Sequence, residues 1–183
     1  GGAYVSAFLT SEFFSKIDLA GIPQGFSEFL LFAAALYLGG LAAAILGYVV
    51  GLPSLRLKGD YLAIVTLGFG EIIRVLILNV DAIGGARGMP GIPKYTSFGW
   101  VYGTAFISIL TVSRLMKSRH GRAFLSVRED EIAAEATGVN TTRTKVTAFV
   151  IGAFFAGFSG GLFGHFLTYL NPQTFDFNKS FEI

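Results

Sequence analysis

The sequence predicts an all-α, polytopic membrane protein with about four to five transmembrane helices. Three observations lead there. Hydrophobic residues make up 52% of the chain and charged residues 14%, whereas soluble domains carry about 25% charge. Apolar runs of 19 to 25 residues recur between short polar stretches, long enough to cross a hydrocarbon core of about 30 Å. Glycine is abundant, with 24 residues, and many of these glycines fall four apart, as they do where membrane helices pack closely. The chain has no cysteine, so thiolate chemistry, disulfides and cysteine metal sites are excluded. A formal charge of +2 is too small to point to nucleic acid.

Taken in order, residues 3–14 read as the exit half of a first span. Lys16, Asp18, Pro23 and Glu28 mark a short loop. Residues 29–52 contain no charge, and Gly39, Ala43, Gly47 and Gly51 place a small stripe on one face that lets another helix backbone approach. Residues 53–60 read as a tight polar turn. Residues 61–80 form a further span, with Glu71 and Arg74 inside it. A single charge at a bilayer centre costs roughly 2.5–3.5 kcal/mol to insert, so such residues face protein or a watery cavity. Two readings stay open for this pair: it locks the helix to a neighbour, or it lines a solute path.

Residues 81–97 hold Gly84, Gly85, Gly88, Pro90, Gly91 and Pro93, which predicts a compact turn-rich loop. The loop lacks the Gly-Lys-Ser/Thr ending of a phosphate-binding loop. Residues 98–116 form another span, entered through Trp100 and Tyr102 as interfacial anchors. Residues 146–170 form the next, with two adjacent small stripes, Gly152/Ala156/Gly160/Gly164 and Ala153/Gly157/Gly161. Two stripes imply a helix wedged between neighbours. His165 has no second ligand at metal spacing and reads as a hydrogen-bonded packing residue. The chain opens on Gly1-Gly2 and ends on Phe181-Glu182-Ile183; the expectation is one membrane domain, 1–183, truncated at both ends.

The longest polar interval runs from Ser118 to Lys145. Ser126 and Glu129 predict a capping box, with Glu129, Asp130 and Glu131 in the first helical turn where the helix dipole favours acids. Gly138 stands at the C′ position. The expected helix, 127–137, spans about 16 Å, with Ile132, Ala133 and Ala136 on one face. So short a helix needs a docking partner. Either its apolar face lies on its own membrane domain, or it is a lever that a partner protein pushes.

Alternate crossings put Arg56, Lys58, Arg114, Lys117, Arg119, Arg122, Arg128, Arg143 and Lys145 on one side, against Lys16, Arg87, Lys94 and Lys179 on the other. The positive-inside rule makes the first side cytoplasmic. The polar helix then faces the cytoplasm and the Gly/Pro loop faces out.

Three stretches, Leu52 to Arg74, Gly84-Gly85 to Pro93, and Ser118 to Phe149, resemble the membrane-spanning permease subunits of ATP-binding-cassette importers for branched-chain amino acids, the LivM type. The segment Ala133-Ala134-Glu135-Ala136-Thr137-Gly138 is a loose version of the Glu-Ala-Ala…Gly pattern found in the ATPase-docking loop of such permeases. The resemblance implies a bacterial inner-membrane permease with a cytoplasmic coupling loop at 118–145. It also implies two ATPase subunits, a second permease subunit and an extracytoplasmic solute-binding protein as partners. Its expected coupling residues are Arg122, Arg128, Glu129, Asp130, Glu131, Ala133, Glu135 and Gly138, with Arg128 to Glu131 governing docking. The loop from Gly84 to Pro93 is expected to meet the binding protein. No cofactor is expected on this chain, because ATP would be bound and hydrolysed by the partner subunits. A permease of the same family for urea or short-chain amides is the alternative. An intramembrane enzyme would need a nucleophile–base pair or metal ligands that Glu71, Arg74 and His165 are too scattered to supply. An ion-driven carrier would need more intramembrane carboxylates than Glu71.

Overall fold

The computed structural model describes residues 1–13, 24–57, 59–80 and 84–171. The expected loop positions Lys16, Asp18 and Pro23, as well as Lys58 and Lys179, lie outside the described residues. Among those described, the elements are α1 (Gly2–Phe8), a π-helical turn (Leu9–Phe13), α2 (Gln24–Ser54), α3 (Asp60–Leu78), a 3-10 turn (Gly85–Arg87), β1 (Met89–Pro90), α4 (Phe98–Met116), α5 (Arg119–Glu129), α6 (Glu131–Ala136), α7 (Thr141–Leu167) and β2 (Tyr169–Leu170). Four of the helices are long and apolar enough to cross a membrane: Ser27–Ser54, Asp60–Leu78, Phe98–Met116 and Thr141–Leu167. Each expected complete span is therefore present.

Four boundaries differ from expectation; one is the end of the last span, at Leu167 and not at 170, because Tyr169 and Leu170 pair with the Gly/Pro loop. Glu28 lies within α2 and not in a loop. At its other end α2 runs through Pro53 to Ser54, where a turn was expected. Pro53 has no N–H for the carbonyl one turn back, but this falls in the last turn, and the Ser54 hydroxyl bonds the neighbouring Val50 carbonyl. The last long helix begins at Thr141 and not at 146, because the Asn140 side chain accepts from Arg143 N at 2.9 Å and starts the helix five residues earlier. This leaves 141–145 as helical residues continuous with the span.

The core is a three-helix contact of α1, α2 and α7, built from the small stripes. A Cβ on Gly157 would stand 2.3 Å from Ala43 Cβ and 3.0 Å from the Gly39 carbonyl oxygen. A Cβ on Gly2 would stand 2.6 Å from Gly157 Cα. Only residues without side chains let three backbones converge so closely. The stripe Ala153/Gly157/Gly161 faces α2, while Gly160 packs on Ala3 of α1 at ordinary van der Waals distance. This is the wedging expected of α7. Gly152 meets nothing within 4 Å.

One end of the bundle is closed by the Gly/Pro loop. Met89 and Pro90 pair antiparallel with Leu170 and Tyr169, and Ile92 N donates to Thr168 O at 3.2 Å. Met89, Ile92 and Leu170 are buried with Ala3, Tyr4 and Ala7. Beside them Phe32, Leu36 and Leu162 form a second cluster, against which Tyr95, Trp100 and Phe158 pack. His165 is buried between these groups. Its Nδ1 bonds the Gly161 carbonyl at 2.7 Å and its Nε2 meets the Thr10 hydroxyl at 2.8 Å, which ties α7 to the π-helical turn. It is the packing histidine that its isolation in sequence suggested. Helices α3 and α4 carry no buried residue, so their apolar sides remain open around this core.

Candidate functional site

The polar interval folds at the opposite end of α7 from the Gly/Pro loop, but not as one capped helix. Helicity starts at Arg119, where the Ser118 hydroxyl accepts from Gly121 N at 3.3 Å. That start places Ser126 inside α5, and its hydroxyl donates to Ala123 O at 3.0 Å. The expected Ser126–Glu129 capping box is therefore absent, because Ser126 is a helix-interior residue with its hydroxyl turned back on the preceding turn. The chain breaks at Asp130, which is extended, and Asp130 Oδ1 accepts from Ile132 N at 2.8 Å and Ala133 N at 3.1 Å. Aspartate is among the strongest N-caps, and here it starts a separate helix, α6.

Helix α6 ends as expected. Gly138 has φ +86°, Val139 N donates to Ala134 O at 3.0 Å, and Gly138 N donates to Glu135 O at 2.9 Å. That paired pattern is a Schellman motif, which needs a left-handed residue at C′. The chain then turns into α7, so α6 and α7 form an αα-hairpin around Gly138.

The two faces of α6 differ. Ala134 is 3% exposed and points toward the bundle. Glu131 Oε1 pairs with Lys145 Nζ at 2.7 Å, and the Thr141 hydroxyl donates to Glu135 Oε1 at 2.6 Å. On the other face Ile132 is 76% exposed, and Ala133, Ala136 and Gly138 are exposed with it. The apolar face named by Ile132, Ala133 and Ala136 thus turns away from its own membrane domain. Arg128 pairs with its neighbour Glu129, and both side chains are 71% exposed. Arg122 is exposed on α5. Of the residues expected to act together, Arg128, Glu129, Ala133 and Gly138 share the open side. Asp130 is occupied as a cap, and Glu131 and Glu135 are engaged with α7.

Lys145, Thr141 and the solvent position of Ile132 were not evident from spacing. Glu131 and Lys145 stand 14 apart in sequence, beyond any helical neighbour rule. The signal that could have found them is the hairpin itself: Gly138 as pivot brings 135 to 141 and 131 to 145.

Glu71 and Arg74 pair within α3, Arg74 Nη1 to Glu71 Oε2 at 3.3 Å. Arg74 also lines a cavity of ≈ 460 Å³ between α1, α2, α3 and α7, walled by Thr66, Gly70, Val50, Phe149 and Gly157 among others; Glu71 is not part of that wall. In the Gly/Pro loop, Gly84, Gly85, Gly88 and Gly91 all adopt positive φ. Gly85 and Gly88 are buried and Pro93 is half-buried, while Pro90, Gly91 and Lys94 are exposed. Half of this loop is thus a plug in the bundle and half a surface. Among the described residues, no group of three His, Asp or Glu side chains is placed to hold a metal ion.

Comparison with known proteins gives a family. The family model described as "Branched-chain amino acid transport system / permease component" matches residues 1–183. The chain is 40% identical over 184 residues to the high-affinity branched-chain amino acid transport system permease protein LivM of Salmonella typhimurium, covering 81% of this chain and 43% of that protein. LivM of Escherichia coli K12 is 39% identical over the same shares. A probable LivM of Methanocaldococcus jannaschii is 33% identical over 143 residues, 70% of this chain and 41% of that one. The chain spans less than half the length of these relatives. No solved structure matches it significantly.

Proposed function

The chain belongs to the permease-component family of branched-chain amino acid transport systems, and from that premise we propose that it is part of the transmembrane permease of an ATP-driven importer of leucine, isoleucine and valine. It is a multi-pass inner-membrane protein with four apolar spanning helices in this region. The family description and the three relatives name branched-chain amino acids, which favours those solutes over urea or short amides.

In this reading the chain performs no hydrolysis and holds no cofactor. Two ATPase subunits bind ATP on the cytoplasmic side and close on it, and α6 receives that movement. The observation that carries this role is Ile132, 76% exposed on a short helix whose opposite side is fastened to α7. A large apolar side chain projecting from a polar end of a membrane protein suits a pocket on a partner. Arg128, Glu129 and Ala133 flank it. At the other end Pro90, Gly91 and Lys94 offer the surface for a solute-binding protein, and a second permease chain covers the open sides of α3 or α4. Arg74 supplies the charge at the wall of the inner cavity and lies on the solute path, with Glu71 holding its guanidinium.

The test is reconstitution of the full-length permease with its ATPase subunits, second permease chain and binding protein. ATPase activity should rise with leucine-loaded binding protein, and uptake of leucine should follow. Stimulation only by an amide- or urea-loaded binding protein would move the substrate. Failure to associate with any ATPase would overturn the importer reading.

A further inference from the structure

We propose that Glu131 and Glu135 are positioning residues, a two-rung latch that fastens α6 rigidly to the base of α7, and that they are not part of the surface the ATPase touches. The inference rests on the reading of α6 as the coupling helix and assigns its residues to two different tasks.

The geometry is a register. Glu131 and Glu135 are four apart on α6, hence on one face. Thr141 and Lys145 are four apart on α7, also on one face. Glu135 takes the Thr141 hydroxyl at 2.6 Å, and Glu131 takes Lys145 Nζ at 2.7 Å. The rungs are four residues apart on both helices, about 6 Å, and they run antiparallel away from the Gly138 turn. A single contact would leave α6 free to swing about it. Two contacts on one line, closed at the end by the Schellman turn, remove that swing.

The surroundings favour a latch over a docking role. The Lys145 and Glu131 side chains are only 28% and 27% exposed, and Thr141 and Ala134 are each 3% exposed; Glu135 is exposed, with Oε1 taken by the Thr141 hydroxyl. Using either carboxylate on an outside partner would break a bond already made and leave Lys145 or Thr141 without it. Arg128 and Glu129, by contrast, are 71% exposed and pair with each other across adjacent positions. Beyond the latch α7 continues as one helix to Leu167, about 33 Å from Lys145 at 1.5 Å per residue, and its glycines lock it against α1 and α2. A push on Ile132 is thereby delivered to the three-helix core and not absorbed by a hinging loop.

The experiment is a charge exchange in the complete transporter: Glu131→Lys, Lys145→Glu, and both together, with Thr141→Val as a milder variant. Two readouts are taken, co-purification of the ATPase subunits and solute uptake per ATP hydrolysed. Expected is that Glu131→Lys keeps the ATPase bound while uptake per ATP falls about tenfold, within the usual range of coupling between sites. The double exchange should restore it to near the parent value, and Thr141→Val should lose a smaller share with assembly intact. Loss of ATPase binding in Glu131→Lys that the exchange does not repair would show that Glu131 touches the ATPase itself and would overturn the latch, leaving the importer reading in place. Unchanged coupling in every variant would overturn it as well. A parent complex that captures no ATPase would instead sink the reading on which the latch rests.

Discussion

Substituting Gly157 by alanine tests whether α1, α2 and α7 move as one body. The added methyl would lie 2.3 Å from Ala43 Cβ, 3.0 Å from the Gly39 oxygen and 3.2 Å from Gly40 Cα. Carbon atoms rest at about 3.5–4.0 Å, so α2 and α7 must separate by more than 1 Å at this point. None of the three neighbours can rotate away, because one is an alanine methyl and the other two are backbone. Overpacking of this kind costs about 1–3 kcal/mol, and rigid neighbours argue for the upper end. Alanine recovers about 1 kcal/mol of helix propensity over glycine. The net loss is roughly 2 kcal/mol, about 4–8 °C in melting temperature on the scaling for 150–250 residues and less in the longer full-length chain. Thermal unfolding of the purified full-length permease in detergent measures it. The companion variant is Ala43→Gly. Alone it should destabilise, through lost propensity and a lost contact. In the Gly157→Ala background it should stabilise, since it removes the clashing methyl, so the sign of its effect reverses. Gly152→Ala, with nothing within 4 Å, should be neutral or stabilising. If Gly157→Ala melts like Gly152→Ala, and Ala43→Gly destabilises equally in both backgrounds, the close three-helix contact is not what holds this bundle.

Further expectations concern the cap of α6 and the cavity beside α3. Asp130→Ala removes the cap that accepts from Ile132 N and Ala133 N and should cost about 1 kcal/mol locally; hydrogen exchange at those two amides should quicken, while Asp130→Asn should preserve protection, and equal exchange in both would contradict the cap. For the cavity, Glu71→Gln with Arg74→Gln removes both charges together. If Arg74 lies on the solute path, uptake falls while expression and assembly hold, since losing an intramembrane charge that costs roughly 2.5–3.5 kcal/mol to insert should not itself harm the protein; uptake at the parent level would take Arg74 off the solute path.

Much of this architecture was legible in the sequence because membrane helices are written locally. A charge-free run fixes a span, and the four-spaced stripes at Gly39 and Gly157 named the faces that meet. Gly138 was legible for the same reason: a left-handed C′ residue after a short helix leaves few alternatives to glycine. Local signals also misled where two of them competed. Ser126-x-x-Glu129 and Asp130 are both good helix starts, and the earlier cap at Ser118 decided the matter by drawing Ser126 into α5. Pro53 reads as a stop, yet in a final turn it costs only one backbone bond. What was not legible was long-range. The pairing of Met89 with Leu170 joins residues 81 positions apart, and the bond from Thr10 to His165 spans 155. The latch was hidden for a related reason. In sequence Glu131 reads as a first-turn acid and Glu135 as one beside or opposite the apolar face, and only the hairpin at Gly138 brings them to α7. From residues alone the coupling helix and an ordinary loop helix stayed equally open. The outward turn of Ile132 supports the coupling role proposed above.

The account is most directly tested by cross-linking from that residue. The chain contains no cysteine, so Ile132→Cys, in a full-length permease free of other cysteines, offers one thiol at the tip of α6. With a short thiol-to-amine cross-linker and the assembled transporter, position 132 should join the ATPase subunit in high yield, and Gly91→Cys at the opposite end should not. A cross-link from position 132 to this chain's own membrane helices, with none to the ATPase, would contradict the central claim.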